Sequence, residues 1–249
     1  MNTTPLIDII IPNYNKAKYL KECLESVINQ TYKSWKIYLI DDFSNDDSRR
    51  ILNDYRSYDN IKLIFTDKNY GPHHCRNLGI EQSNSDYVAF LDSDDFWPKE
   101  KLNLQIKDML KNDLDFTYTD ISYFKDSTVK KKIELPNFYD LSNFILSSTM
   151  STSSILLKRE IISKIKFKDV MHEDYLFKCD ILRENINAIK IKNTFVFYRM
   201  TKQNRSSNKF NNLFNLWRIN KKFNQLSFFK NIKSVLSISF NSLKNYGWK

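Results

Sequence analysis

Glycine is scarce in this chain of 249 residues, and that scarcity excludes one class of phosphate site. Only Gly71, Gly79 and Gly247 occur, so neither a P-loop nor a GxGxxG nucleotide motif can be written anywhere in the sequence. Any phosphate group that the protein binds must therefore be held by a metal ion, by basic side chains or by the N-termini of helices.

Cysteine and long apolar runs are also sparse. Cys23, Cys75 and Cys179 are widely separated and show no CxxC spacing, which is typical of reduced cytosolic thiols and not of a disulfide framework or a zinc site. The first residues lack a basic region followed by an apolar core, and no apolar run approaches the length of a bilayer. We therefore expect a cytoplasmic protein with neither a signal peptide nor a transmembrane helix.

Acidic residues are missing from one end of the chain. Residues 185–249 contain 13 Lys and Arg but no Asp or Glu, whereas the whole chain carries a net charge of +10. The part before residue 185 therefore has a net charge of −3. This asymmetry predicts different partners for the two parts of the chain, and a basic surface formed by the last part.

Short apolar runs alternate with helical periodicity through the first hundred residues. Strands are predicted at 6–11, 37–40, 61–65 and 87–92, with helical spacing after each of them. Strands that alternate with helices at this spacing form right-handed βαβ units and a parallel sheet. The length suits one α/β domain with a central, mostly parallel sheet flanked by helices.

Polar residues follow three of these strands. Asn13 to Asn15 follow the first, Asp41 and Asp42 follow the second, and Asp92 to Asp95 follow the fourth. Loops after parallel strands share one edge of the sheet, where open α/β sheets bind ligands. Clustered carboxylates there favour Mg²⁺ or Mn²⁺, completed by substrate phosphates. The alternative is that Asp92 to Asp95 only cap a helix beginning near Pro98.

The second half shows a mixed pattern. A helix to about residue 112 is followed by strand-like segments at 116–123, 154–157 and 188–198, and an acidic helix start lies at 172–174. From residue 210 the sequence is basic and aromatic, which predicts two helices. We divide the chain into a donor-binding half at 1–110, an acceptor-binding half at 111–209 and a helical tail at 210–249.

Four separated segments carry a family resemblance. They are residues 9–15 (IIIPNYN), 39–46 (LIDDFSND), 69–79 (NYGPHHCRNLG) and 90–95 (FLDSDD). In this order and spacing the chain resembles the family 2 glycosyltransferases of the GT-A fold, which transfer a sugar from a nucleoside diphosphate with inversion of the anomeric carbon. The family more often has Gly where this chain has Phe43. The match is close over residues 6 to about 110 and loose beyond.

The resemblance implies roles for five residues at the nucleotide. Pro12 and Tyr14 would line the base pocket, and Asp42, with Asp41 beside it, would accept hydrogen bonds from the nucleoside. Arg76, early on a helix that starts at the same edge, would contact the diphosphate or the ribose. Without the other motifs, Asp41 and Asp42 are equally well explained as a turn-capping pair.

The resemblance also implies different roles for the carboxylates of Asp92 to Asp95. Asp94 would be the ligand of Mn²⁺ or Mg²⁺, and Asp92 would bind the same metal or the ribose. Asp95 would support the site or cap the following helix.

Two further segments resemble the catalytic and closing elements of the family. Asp174 would be the base that takes the proton from the acceptor hydroxyl, with Glu173 orienting or binding the acceptor. The alternative for both is the acidic first turn of a helix. Arg199 or Arg205 would pair with the diphosphate when a mobile segment closes, although a flexible basic loop without that role explains them almost as well.

The implied function is the transfer of one sugar to a hydroxyl of a saccharide in cell-surface polysaccharide or glycan assembly. The donor would be a UDP-sugar, the usual donor of the family that the chain resembles. The Gln-x-x-Arg-Trp sequence and the membrane spans of processive members are absent, which favours single additions. A metal-dependent nucleotidyltransferase is one alternative, but its Gly-rich basic loop is missing. A nucleic-acid-binding protein that uses the basic tail is another, although we expect no nucleic-acid partner.

The tail itself allows two interpretations. Its interleaved aromatic and basic residues could lie on the anionic inner face of the plasma membrane, as a peripheral contact that brings the enzyme to a lipid-linked acceptor. Alternatively, the two helices pack their aromatic side chains onto the catalytic domain.

Overall fold

The computed structural model describes residues 4–125, 127–201 and 209–246. Its strands are β1 (Ile7–Asn13), β2 (Trp35–Asp41), β3 (Ile61–Phe65), β4 (Tyr87–Phe90), β5 (Phe116–Lys125), β6 (Thr128–Ile133), β7 (Phe138–Tyr139), β8 (Leu156–Lys158) and β9 (Ala188–Arg199). Its helices are α1 (Ala17–Ile28), α2 (Ser48–Asn53), α3 (Pro72–Gln82), α4 (Lys101–Asn112), α5 (Leu141–Ser147), α6 (Arg159–Ile162), α7 (Glu173–Arg183), α8 (Lys209–Lys222) and α9 (Phe228–Tyr246).

The nine strands of the described ranges form one sheet, in the order β3-β2-β1-β4-β8-β5-β9-β7 with β6 paired to β5. The first four of these are mutually parallel, and β5 and β9 run in the same direction. Only β6, β7 and β8 run the other way among the strands described. The predicted α/β fold with a mostly parallel sheet is confirmed, and it extends without a break across residue 110. The division into donor and acceptor halves stays a prediction.

Strand β1 lies at the centre of the parallel part, between β2 and β4. Every residue of β1 is buried, as expected for a strand covered by helices on both faces. The chain leaves β1 toward β2 on one side and reaches β4 on the other, so the loops after β1 and β4 diverge. Such a switch point opens a crevice at the carboxyl ends of the strands.

Helix α3 lies unusually close to β1 because it carries a glycine at the contact. A Cβ atom on Gly79 would stand 2.5 Å from Cγ2 of Ile10, closer than two carbon atoms can approach. Gly71, which precedes α3, has a φ of 87°, a left-handed conformation that glycine adopts without strain. The two glycines thus set the start and the depth of the helix that carries Arg76.

The strand β4 ends at Phe90, and the helix after it begins only at Lys101, with Glu100 at its N-cap position. This corrects the helix start expected near Pro98. It also excludes the simpler interpretation of Asp92 to Asp95 as a helix cap, because the cluster lies five or more residues before the helix.

The two tail helices exist as predicted. They join the apolar core through Leu216 and Ile219, with Val235 and Ile238 packed against it, and they also make hydrogen bonds. The Tyr175 hydroxyl donates to Oδ1 of Asn220 at 2.8 Å, and the Ser234 hydroxyl donates to the carbonyl of Ile145. Asn231 donates to the carbonyl of Trp217 at 3.0 Å. No helix in the described ranges is both long and apolar enough to cross a membrane.

Candidate active site at the carboxyl edge of the sheet

A cleft of about 590 Å³ opens at the carboxyl edge of the parallel strands. Its walls come from the loops after β1, β2 and β4, from the N-terminal parts of α3 and α7, and from α8. Eight of the residues singled out in the sequence line it together, namely Pro12, Tyr14, Asp42, Arg76, Asp92, Asp94, Glu173 and Asp174. The fold therefore brings the N-terminal motifs and the Glu173-Asp174 pair into one pocket.

Asp42 lies in the corner of the cleft that Pro12 and Tyr14 also line. Its carboxylate accepts hydrogen bonds from the backbone N–H groups of Tyr70 at 2.8 Å and Gly71 at 2.7 Å. These bonds hold the loop before α3 against the end of β2. The Thr66 hydroxyl is a third donor, at 3.4 Å, and Asp42 is almost completely buried although it borders the cleft.

Asp41 differs from the expectation, because it is completely buried and does not line the cleft. Its carboxylate accepts from the Asn13 side chain at 2.9 Å, from the Ser44 backbone N–H at 3.1 Å and from Nε of Arg49 at 2.9 Å. A buried charge is tolerated only with such partners. Asp41 thus joins the loops after β1 and β2 beneath the pocket.

Phe43 adopts a φ of 61°, the left-handed region that non-glycine residues rarely enter. This explains why glycine is common at this position in the resembling family. The Phe43 ring is exposed, and the Arg49 guanidinium lies over it at 5.4 Å.

The carboxylates after β4 are each paired with a different group. Asp92 accepts from Arg76 at 2.7 Å, and Asp94 accepts from Nζ of Lys16 at 2.6 Å. Lys16 follows β1, so this ion pair spans the switch point between β1 and β4. Two of the three charges are therefore already neutralised by cations of the cleft wall.

Asp95 is buried and does not line the cleft. Its carboxylate accepts from the Ser153 hydroxyl at 2.7 Å and from the backbone N–H of Arg199 at 2.9 Å. Burial, followed by the nearby charges of Asp94 and Asp92, raises the pKa of Asp95 well above its usual range. Asp95 thus ties the β4 loop to β9, as expected for a supporting residue.

In this environment, loss of the Asp95 side chain should destabilise the protein more than loss of its charge. Burial and the neighbouring charges raise the pKa of Asp95 because they disfavour its charged form. Removal of the charge in Asp95→Asn should therefore change stability by no more than about 1 kcal/mol. Asp95→Ala should lose about 1–3 kcal/mol, because Ser153 and Arg199 lose their acceptor. Urea unfolding of both variants measures the difference, and equal destabilisation by both would contradict the assignment.

Arg76 links two sides of the pocket. Its guanidinium donates to Asp92 at 2.7 Å and to Glu173 at 3.1 Å, although the two acids are far apart in sequence. Burial would lower the pKa of Arg76, but Asp92 and Glu173 outweigh it and raise the pKa. Nε of Arg76 is buried without a hydrogen-bond partner among the described residues. The guanidinium is thus a fixed cation of the cleft wall.

Asp174 lies in the first turn of α7, and its side chain remains 40% exposed to the cleft. It accepts from Nζ of Lys178 at 3.0 Å. The buried Lys178 also donates to the carbonyl of Met150 at 2.7 Å. The surrounding protein disfavours the Asp174 charge, but Lys178 and then Arg76 outweigh that effect and hold its pKa well below the usual range. Asp174 is therefore a fixed, ionised acceptor.

His172, directly before α7, has a φ of 62° and makes no side-chain cap. Its Nε2 atom is buried without a hydrogen-bond partner in the described part of the chain, and the residue lines the cleft. Backbone strain of this kind concentrates at ligand sites.

Arg199 ends β9 and is absent from the cleft lining. Its side chain donates to Glu22 and, at 2.8 Å, to the carbonyl of Asp94, and it lies over the rings of Tyr19 and Phe96. In this structure Arg199 supports the Asp94 loop and does not line the cleft; its pairing with a diphosphate stays a prediction. Arg205 lies outside the described residues.

The carboxylates after β4 can bind a divalent cation only when a substrate supplies further ligands. Asp92 and Asp94 supply hard carboxylate oxygens beside the cleft, but no cluster of three His, Cys, Asp or Glu placed to hold a metal occurs within the described ranges. Mg²⁺ and Mn²⁺ sites with one or two carboxylates are completed by water and phosphate oxygens. The set therefore suits a metal that arrives with a diphosphate.

Sequence reasoning missed two lysines of the site. Lys178 stands four residues after Asp174 on a helix, and this spacing predicts an ion pair. Lys16 follows the polar loop of β1, but its partner Asp94 lies 78 residues away, and no local signal predicts that contact.

Comparisons with known proteins agree with this geometry. Residues 8–166 match the family described as Glycosyl transferase family 2. An uncharacterised glycosyltransferase of Haemophilus influenzae is 35% identical over 97% of this chain and 98% of its own length. The Escherichia coli protein WfgD, named as a UDP-Glc:alpha-D-GlcNAc-diphosphoundecaprenol beta-1,3-glucosyltransferase, is 31% identical over 82% of this chain and 81% of its own.

Solved structures share the fold at low sequence identity. Staphylococcus aureus TarS, crystallised with UDP-GlcNAc, superposes with a TM-score of 0.73 at 19% identity, covering 96% of this chain and 73% of that one. The Pyrobaculum calidifontis mannosyltransferase PcManGT, in complex with GDP-Man and Mn²⁺, gives 0.69 at 16% identity over 100% of this chain and 77% of its own. The fold, the sequence match and the cleft agree, and the chain belongs to glycosyltransferase family 2.

Proposed function

We propose that this glycosyltransferase moves one hexosyl group from a UDP-sugar to a hydroxyl of a lipid-linked saccharide, with inversion of the anomeric carbon. The observation that carries the proposal is the shared cleft, which is lined both by the Pro12, Tyr14 and Asp42 corner and by Asp174. A donor-binding corner and a candidate base in one pocket are what a direct displacement requires.

The nucleoside would occupy the corner of Pro12, Tyr14 and Asp42. Asp42 is held by two backbone N–H groups, so an acceptor for base N–H or ribose hydroxyl groups is already in position. Preorganised acceptors of this kind lose little entropy on binding.

The diphosphate would lie beside Asp92 and Asp94. A divalent cation bound there would neutralise the charge that builds on the leaving phosphate oxygens. Lys16 and Arg76 place two further positive charges on the same wall, and both favour departure of the nucleoside diphosphate.

Asp174 would take the proton of the acceptor hydroxyl as its oxygen bonds to the anomeric carbon and the bond to the diphosphate breaks. Lys178 fixes its carboxylate, and Glu173 is fixed by Arg76. A single displacement with the base opposite the leaving group inverts the anomeric carbon.

The choice of UDP and of a lipid-linked acceptor is supported by the WfgD relative, whose name gives UDP-Glc and a diphosphoundecaprenol-linked GlcNAc. A second Escherichia coli relative, WfaP, carries the same donor and acceptor in its name at 30% identity. The absence of the processive signature from the sequence supports the transfer of a single sugar.

Donor binding can be tested by thermal shift with UDP-glucose, UDP-GlcNAc and GDP-mannose, each with and without Mn²⁺. A ligand at 100 times its Kd adds about 2.7 kcal/mol, which raises the Tm of a chain of this size by about 5–10 °C. We expect a UDP-sugar to reach this range with Mn²⁺ and to give a smaller shift without it. Glucose 1-phosphate, which lacks the nucleoside, is the control, and the proposal fails if no nucleotide sugar stabilises the protein.

A further inference from the structure

Helix α9 exposes a set of large apolar residues that its packing on the domain leaves uncovered. Asn231 and Ser234 of α9 are 1% and 0% exposed, whereas Phe229, Leu236 and Phe240 are 82%, 64% and 68% exposed. A helix that rests on a soluble domain normally buries its apolar face and exposes its polar face. Here the inner side carries Ser234, which donates to the carbonyl of Ile145 on α5, together with Val235 and Ile238, which pack against the core. A second set of apolar side chains faces outward.

The exposed apolar residues of α9 form one stripe. Phe229, Leu236 and Phe240 are separated by seven and four residues, so they share one side of the helix. On α8, Phe214 is exposed as well, and Trp217 one turn later meets Phe228 edge to face at 5.6 Å. We call Phe214, Phe228, Phe229, Leu236 and Phe240 the outer face.

Positive charge surrounds the outer face. Lys233 and Lys244 follow Phe229 and Phe240 by four residues each, and so lie on the same side of α9. Among the residues of the two helices whose exposure is described, the other exposed cations are Arg218, Lys221, Lys222 and Lys230. No Asp or Glu occurs after Glu184, so the surface carries no compensating negative charge from its own segment.

The combination of apolar and basic groups on the outer face indicates which partner covers it. A second copy of the same surface would bring like charges together, which opposes self-association. An anionic lipid surface instead offers negative headgroups to the cations and an apolar interior to the aromatic side chains.

We propose that the outer face of α8 and α9 docks peripherally on an anionic lipid bilayer. Phe229, Leu236 and Phe240 enter the boundary between headgroups and acyl chains, while Lys233 and Lys244 contact the headgroups. Asn212, on the first part of α8, lines the catalytic cleft, so the docked helices border the site where the acceptor reacts. This inference goes beyond the transfer reaction and does not depend on it.

Sedimentation of the full chain with vesicles tests the proposal. We expect binding to vesicles of phosphatidylcholine that contain about 30% anionic phosphatidylglycerol. Binding should be lost with vesicles of pure phosphatidylcholine or in about 1 M salt. Phe229→Ser with Phe240→Ser should weaken the partition at least about tenfold. Lys230→Glu with Lys233→Glu should weaken it by at least about tenfold as well.

Matched variants elsewhere on the surface control for general effects. Phe138→Ser removes an exposed phenylalanine on β7, and Lys107→Glu with Lys111→Glu reverses two exposed lysines one turn apart on α4. Both should bind vesicles like the parent. All of the replaced side chains are exposed, so each variant should melt within a few degrees of the parent protein.

The proposal is overturned if the parent chain does not bind anionic vesicles, or if the α9 variants bind as well as the controls. It is also overturned if ultracentrifugation shows a dimer that the α9 variants lose, since a second copy would then cover the outer face. Nucleotide-sugar binding measured by calorimetry should be unchanged in the α9 variants. Failure of docking and failure of the transferase assignment are therefore separate results.

Discussion

Replacement of Asp94 by asparagine is expected to remove the Mn²⁺-dependent part of donor binding and to lower transfer by at least about 10²–10³-fold. Asp94 lines the cleft, and its carboxylate is held by the flexible cation of Lys16. With Asp92, Asp94 would hold a divalent metal that accompanies the diphosphate, and its ion pair with Lys16 would then open. Asparagine keeps the shape but loses the charge that both cations need.

Calorimetric titration of the UDP-sugar with and without Mn²⁺ measures this effect directly. Asp95→Asn is the matched control, because Asp95 is the adjacent residue but lies outside the cleft lining. It should keep the Mn²⁺-dependent gain in affinity. If Asp94→Asn binds the donor as the parent does in both conditions, Asp94 is not the metal ligand.

Replacement of Asp174 by asparagine is expected to leave the donor affinity within about a factor of two and to reduce kcat by about 10²–10⁴-fold, the usual contribution of a general base. Asp174 lies on α7, while Asp42, Asp92 and Asp94 follow strands of the N-terminal half. In the proposed mechanism the first group removes the proton and the second binds the donor, so the two substitutions should have different effects.

A control variant on the same helix is available. Asp180 is paired with Lys168 and Arg183 and does not line the cleft, so Asp180→Asn should retain kcat. Donor binding by calorimetry and initial rates of transfer give the two readouts. Equal loss of donor binding in Asp174→Asn and Asp94→Asn would refute the division of roles.

The pKa of Asp174 adds a pH dependence of defined sign. Lys178 and Arg76 outweigh the cost of burial and lower this pKa in the folded state, so the interaction stabilises the protein above the unfolded value of about 3.9. That stability is lost as the pH falls below about 4. In Asp174→Asn the acid-induced loss of stability should be smaller. The rate of the parent enzyme should show no acid limb from Asp174 between about pH 5 and 8.

Local patterns in the sequence were sufficient for the parallel half of the sheet and for its polar edge. Buried apolar runs such as 7–13 and 87–90 are short and bounded by turn residues. In the segments between them, apolar residues recur every three to four positions, as in a helix. Parallel strands place their carboxyl ends on one side for geometric reasons alone. The meeting of Asn13, Asp42 and Asp92 was therefore predictable.

Long-range pairing decided the roles of individual charged residues. Asp41 and Asp42 are adjacent, chemically identical and both buried. Asp41, the last residue of β2, bonds Asn13 and Arg49, whereas Asp42, just after the strand, borders the cleft. Arg76 meets Glu173, and Lys16 meets Asp94, across 97 and 78 residues. Such contacts depend on how loops from different strands converge, and no local periodicity encodes them.

The sequence by itself determined the family motifs, the alternation of strands and helices, and the basic, aromatic character of the last forty residues, because these are properties of composition and local spacing. Only the tertiary structure decided which carboxylates face the cleft and which side of α9 faces outward. On α9, Ser234 and Asn231 find acceptors on α5 and α8, and Val235 and Ile238 contact the core. These contacts turn Phe229, Leu236 and Phe240 outward. A buried polar group must find such partners, and their positions exist only once the domain has folded.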